Sequence, residues 1–201
     1  SKQVLFNKRL PLSAGRHVAQ ACVLTRALHL AGCWAPLPSQ QAGRVATAVA
    51  MPLKRMVWAT LKSRDGECPH LSHDDVHQLV GLPPLQALLD AEVCRYAVRL
   101  AARGPLAVRA LVQGRGGDSW RRGLLVALRT LVILLPGKFA ELPPPVCDGA
   151  LALWTRAWAM APQAWLPVCR RLLRVALDDP FRYAAASAAA RQEGGLAPAA
   201  L

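Results

Sequence analysis

Cys68, His70, His73 and His77 put four metal-ligand side chains into ten residues, with the last two one helical turn apart. Thiolate and imidazole groups bind zinc, and a closed structural site needs four of them. The spacing C-x-H-x2-H-x3-H nonetheless follows no known zinc pattern, Pro69 restricts the chain between the first two groups, and no second ligand cluster occurs. The ordinary reading of His73 and His77 is a polar helix face beside Asp74. The four residues stand as zinc candidates only, and no cofactor is expected in the chain itself.

Adjacent carboxylates can hold paired metal ions for phosphoryl transfer, and the chain has two such pairs, Asp74-Asp75 and Asp178-Asp179. The first sits at a helix start behind Ser72 and the second directly before Pro180; neither is flanked by apolar strand residues. The glycine-rich stretch from Gly114 to Gly117 lacks the Lys-Ser/Thr of a phosphate-binding loop. No G-x-S-x-G motif is present, and nothing selects a Cys-His dyad. Catalysis by this chain alone is not expected.

The strongest chemical signal is electrostatic. Between Ser1 and Arg64 the chain carries ten Lys and Arg and no Asp or Glu; the first acid is Asp65. A block of one sign and that length needs an anionic partner or a solvated face to tolerate its own repulsion. The whole chain has a net charge of +13, and Arg far outnumbers Lys. The planar guanidinium fork suits bidentate phosphate contacts, although a GC-rich genome produces the same excess of Arg. Within the block, Arg44, Met51, Arg55, Trp58 and Lys62 follow at spacings of seven, four, three and four, one stripe of a helix, while Val45, Val49, Leu53 and Met56 form the neighbouring apolar stripe. Guanidinium groups beside an exposed indole can track a phosphate backbone and stack on a base. The competing reading is a solvated basic face with Trp58 half-buried. Pro52 predicts a kink near Ala48 that would disturb the stripe.

The elements that position these residues read as helices throughout. With 201 residues, 53% of them hydrophobic, and a mean hydropathy of +0.22, the chain can bury a core. Apolar periodicity and capping residues predict helices over 13–31, 39–62, 72–80, 84–102, 105–113, 120–135, 146–160, 162–177 and 181–191. Ser13 is the expected cap of the first, Ser39 follows the helix-incompatible Pro36-Leu37-Pro38, Ser72 and Asp75 form a capping box, and Pro84 and Pro105 fit first turns. The fold class is therefore all-α, an irregular bundle of about eight helices. Gly114 to Asp118 reads as a linker between a basic helical region, 1–113, and a C-terminal one, 119–193, with a disordered tail over 194–201. Leu124 to Leu135 is apolar but broken by Arg129 and well short of the ~20 residues of a membrane span, so it is expected as a buried helix. Trp154 and Trp158, at i and i+4, read as core together with Trp165; Arg170, Arg171 and Arg174 either extend a nucleic-acid surface or solvate one side of a helix pair. Six scattered cysteines form no disulfide framework, so reduced thiols and an intracellular location are expected.

The order of motifs adds a family. Asn7-Lys8-Arg9-Leu10-Pro11-Leu12 leads into a helix that ends at Gly32-Cys33-Trp34, a second helix carries Leu53-Lys54-Arg55-Met56, and Leu71-Ser72-His73-Asp74-Asp75-Val76, Gly81-Leu82-Pro83-Pro84-Leu85 and Cys94-Arg95-Tyr96 follow. This succession, from about Lys2 to Val112, resembles the thumb and connecting region downstream of the catalytic palm in reverse transcriptases of non-LTR (LINE-type) retrotransposons. The resemblance implies a non-catalytic fragment of an RNA-directed DNA polymerase that grips an RNA template and DNA primer through phosphates, beside palm and fingers on the same polypeptide. It implies Mg2+ bound elsewhere in the parent protein and a nuclear location; no membrane partner is expected, on the length of the apolar run. The implied contacts are Lys8, Arg9, Arg16, Arg44, Lys54, Arg55 and Lys62, with Trp58 as the stacking residue. Two alternatives stay open: a helical interaction module that docks an acidic protein, and a decayed element with no selected function.

Overall fold

The computed structural model describes residues 11–34, 36–65, 70–113, 119–139, 141–145 and 148–193, with side chains for all of these except 39, 59–65, 108, 111, 113 and 148. Every regular element among them is helical, and the chain is all-α. It divides into two compact units: 1–29 with 37–85, and 30–36 with 86–200.

In the first unit, α1 (Leu12–Ala19) continues through one π-helical stretch, Gln20–Leu24, into Thr25–Ala27. Pro11, and not Ser13, is the residue before its first turn: the Pro11 carbonyl accepts from the Ala14 and Gly15 N–H groups, and Ser13 falls inside the helix. The ring fixes φ and has no N–H to lose, so proline serves where a serine cap was expected. The long α2 (Ser39–Asp65) begins at Ser39 as its sequence indicates and runs unbroken through Pro52. The capping box before α3 (His73–Val80) is formed: the Asp75 N–H donates to Ser72 Oγ at 3.1 Å, and the Ser72 N–H donates to Asp75 Oδ2 at 2.9 Å. Gly81 ends α3 at φ 73°, a left-handed conformation that glycine adopts without a Cβ penalty.

Helix α2 buries Val49, Leu53, Met56 and Val57 and packs against α3, which buries Val76, His77 and Val80. Helix α1 lies against both. Its closest approach is at Gly15, where an added Cβ would stand 2.5 Å from Met56 Sδ, so a residue without a side chain sets the α1–α2 spacing.

The second unit holds α4 (Leu85–Arg103), α5 (Leu106–Gln113), α6 (Ser119–Leu134), α7 (Asp148–Met160), α8 (Pro162–Asp178) and α9 (Pro180–Glu193). Helix α6 is its axis, with Leu124, Leu125, Ala127, Leu128, Leu131 and Leu134 all in the core. Its apolar run is thus buried in protein as expected, and no helix among the described residues is long and apolar enough to cross a membrane. Ala186 and Ala190 let α9 lie close against α6. Phe139, Trp154, Trp158 and Trp165 form one aromatic group with ring centroids 5.4 to 6.4 Å apart, and Trp154 Nε1 donates to the Pro143 carbonyl at 2.9 Å.

The expected linker at 114–118 lies outside the described residues. The compact units divide at Leu85/Gln86, because Ala87, Ala91, Cys94, Ala97, Val98 and Ala101 of α4 enter the same core as α6. Local periodicity identifies an apolar stripe on α4 but carries no information about which helix will cover it. The segment from Leu30 to Pro36 also belongs here: Trp120 Nε1 donates to the Gly32 carbonyl at 2.8 Å, and a Cβ on Gly32 would meet Tyr96 Cβ at 2.5 Å.

Candidate nucleic-acid interface

The residues singled out for phosphate binding divide by environment. On α2, Arg44, Met51 and Arg55 are exposed while Val49, Leu53 and Met56 are buried, so the basic and apolar stripes of the sequence lie on opposite sides of one helix. The eleven helical steps from Arg44 to Arg55 span about 16 Å at about 1.5 Å each. Neither guanidinium forms an ion pair or hydrogen bond with a described residue. Arg44, Thr47, Ala48, Met51 and Arg55 make a continuous outer face with no carboxylate on it.

The other proposed contacts are placed differently. Lys54 is half-buried, and its charge acts on Asp75. The Ser72 hydrogen bonds first, with Lys54 as a smaller cause, hold the Asp75 carboxyl below the usual range. Arg16 folds over the C-terminal end of α3, with one Nη1 3.1 Å from where a Cβ on Gly81 would stand. A cation there meets the negative end of the helix dipole, so Arg16 has a structural role that its position in the charge block did not reveal. Trp58 is half-buried, with Nε1 enclosed and without a partner among the described residues. It is thus not the open stacking platform that its place in the stripe suggests. Lys8, Arg9 and the side chain of Lys62 lie outside the described residues.

The three described zinc candidates do not form a metal-ligand group. Cys68 lies outside the described residues, His70 is exposed, and His73 is half-buried. His77 is only 2% exposed, and its Nδ1 pairs with the Pro83 carbonyl at 2.8 Å. A carbonyl only accepts, so Nδ1 carries the proton. Burial, the largest cause, pushes the His77 imidazole below its usual pKa and keeps it neutral. No group of three metal-ligand side chains occurs among the described residues. Both aspartate pairs sit at helix ends: Asp75 in the capping box, and Asp179 accepting from the Arg182 N–H at 2.9 Å before α9.

One feature of the second unit was not expected. Asp90 is buried and accepts hydrogen bonds from Tyr183 Oη and Gln86 Nε2, each at 2.7 Å. Burial raises its pKa in spite of both bonds. Cys94 and Cys169 are buried thiols, the second pushed up to about 11 by desolvation, so neither is a thiolate nucleophile at neutral pH. Ninety-three residues separate Asp90 from Tyr183, and no local spacing signals that pairing.

No protein-family model, curated protein or solved structure matches this chain.

Proposed function

We propose that the first unit binds the phosphate backbone of a nucleic-acid duplex through the outer face of α2, as the thumb region of a non-LTR retrotransposon reverse transcriptase would grip its RNA template and DNA primer. The carrying observation is the exposed Arg44 and Arg55, without a partner among the described residues, on the side of α2 opposite its buried stripe, within a block of ten cations and no acid. A duplex carries one charge per about 1.7 Å of axis, so a basic face about 16 Å long meets several phosphates at once. Contacts of this kind are indifferent to base sequence and weaken steeply with salt. Polymerase chemistry, its Mg2+ and a nuclear location belong in this reading to the parent protein.

The test is fluorescence anisotropy of the chain with a labelled RNA–DNA hybrid across a salt series, with double-stranded DNA and heparin as competitors. Arg44→Gln with Arg55→Gln is expected to lower the salt slope by about two, at 0.9 per lost phosphate contact. An unchanged slope sinks the α2 interface, and equal affinity for hybrid and double-stranded DNA removes the support for a thumb.

A second reading, a helical module that docks an acidic protein, is favoured by Leu106, Met160 and Phe181, which are 81%, 78% and 86% exposed. Competition of hybrid binding by heparin but not by an acidic polypeptide would count against it.

A further inference from the structure

We propose that α8 carries a second phosphate-binding face, formed by Arg170, Arg171 and Arg174, that contacts a nucleic-acid backbone; this rests on the nucleic-acid reading of the chain. Helix α8 is sharply two-sided. Cys169, Leu172 and Ala176 are buried, while Gln163, Ala164, Pro167, Arg170, Arg171 and Arg174 are exposed at helical spacing. The three guanidinium groups make no hydrogen bond or ion pair with any described residue. Arg170 and Arg171 stand four and three positions before Arg174, and like charges at those spacings destabilise a helix. From Pro162 to Leu177 the helix has no acid to offset them; Asp178 is its last residue, one turn beyond Arg174.

The fold does not need these side chains, since nothing of α8's buried side depends on them. Three arginines that the fold does use in this unit are bonded to backbone carbonyls. Arg109 donates to Gly104 and Ala102, Arg129 to Pro145 and Ala190, and Arg182 to Leu134. The α8 cluster is the contrasting case: three forked, desolvation-tolerant cations within two turns, matched in charge and donor geometry to phosphate oxygens.

The experiment compares four forms of the full chain by anisotropy with a labelled RNA–DNA hybrid from about 50 to about 200 mM salt. They are the parent, the triple Arg→Gln variant at 170, 171 and 174, the triple Arg→Lys variant at the same positions, and Arg44→Gln/Arg55→Gln. Loss of three phosphate contacts lowers the salt slope by about 2.7, so the affinity change across that range shrinks by about 40-fold. The lysine variant keeps the charge and is expected to keep the slope. Circular dichroism is expected to give the glutamine variant the parent's helix content, and with that content a glutamine slope equal to the parent's overturns the proposal. A slope lowered equally by glutamine and lysine also overturns it, because charge is then not the cause. If the α8 variant weakens hybrid binding while Arg44→Gln/Arg55→Gln does not, the α8 face stands and the α2 interface falls. Binding to phosphatidylserine vesicles that is lost in the glutamine variant, with hybrid binding unchanged, assigns the face to a membrane and overturns the proposal.

Discussion

Replacing Tyr183 by Phe removes one hydroxyl from the second unit's core and leaves a buried carboxylate with a single donor. Asp90 is 5% exposed, and its two bonds, to Tyr183 Oη and Gln86 Nε2, are each 2.7 Å. A hydrogen bond to a charged group contributes about 1.5–3 kcal/mol, and the Phe ring leaves almost no cavity, so Tyr183→Phe is expected to cost about 2 kcal/mol at pH 7. Asp90→Asn behaves oppositely. Its Oδ1 still accepts from Tyr183, its Nδ2 can donate to a turned Gln86 amide, and the buried charge is gone. Burial raises the Asp90 pKa above 3.8, which means that the folded state holds this proton more tightly than the unfolded chain. Stability from this group is therefore highest in acid and falls as pH rises from about 3.8 through the raised folded value. Asp90→Asn removes that slope, and Tyr183→Phe costs less in the Asn background than in the parent. Urea unfolding in a Trp58→Phe background isolates the second unit, because Trp154, Trp158 and Trp165 then report without the first unit's indole. A Tyr183→Phe change below about 0.5 kcal/mol, or an Asp90→Asn variant less stable than Tyr183→Phe at pH 7, refutes the buried pair as argued.

The first unit should show the opposite pH trend. His77 has a folded pKa below 6.5, so the unfolded chain takes up the proton first and stability is lost as pH falls from about 6.5 towards the folded value; His77→Asn flattens this, measured by thermal melts between pH 7.5 and 5. Ser72→Ala removes the Oγ that accepts from the Asp75 N–H and is expected to cost about 1 kcal/mol, read from urea midpoints. Gly32→Ala forces a Cβ to within 2.6 Å of the Glu92 carbonyl, an overpacking of backbone that costs about 1–3 kcal/mol, whereas Gly137→Ala, with nothing within 4 Å, costs far less.

What the sequence conveyed follows from how far its signals reach. The Ser72–Asp75 capping box, the start of α2 at Ser39 and the two faces of α2 are set by neighbours within a few positions, and all are present. Trp154 and Trp158 read correctly as core because i and i+4 share a helix face. The π-helical stretch after α1 was not legible, nor was the grouping of α4 and α5 with the later helices. Both depend on what the chain packs against. Arg16 shows the limit at the candidate site: composition counts it among the block's cations, but only packing reveals that it covers the end of α3.

That distinction bears on the charge as a whole. A net charge of +13 suggests a uniformly basic particle, yet the arginines include two populations with different consequences. Arg109, Arg129 and Arg182 donate to main-chain carbonyls, several at the open C-terminal ends of helices, where the cation also offsets the helix dipole. Replacing one of these exposes unsatisfied carbonyls, and the loss appears in stability. Arg44, Arg55, Arg170, Arg171 and Arg174 hold no described partner, so replacing them leaves packing intact and the loss appears in binding. Salt separates the two populations, because counterion release counts phosphate contacts and is blind to carbonyl bonds. A salt slope that responds to Arg44, Arg55, Arg170, Arg171 and Arg174 and ignores Arg109 and Arg182 assigns the charge of the two faces to a polyanion; a slope that responds to both sets alike would mean that binding tracks folding, and the two faces would lose their meaning.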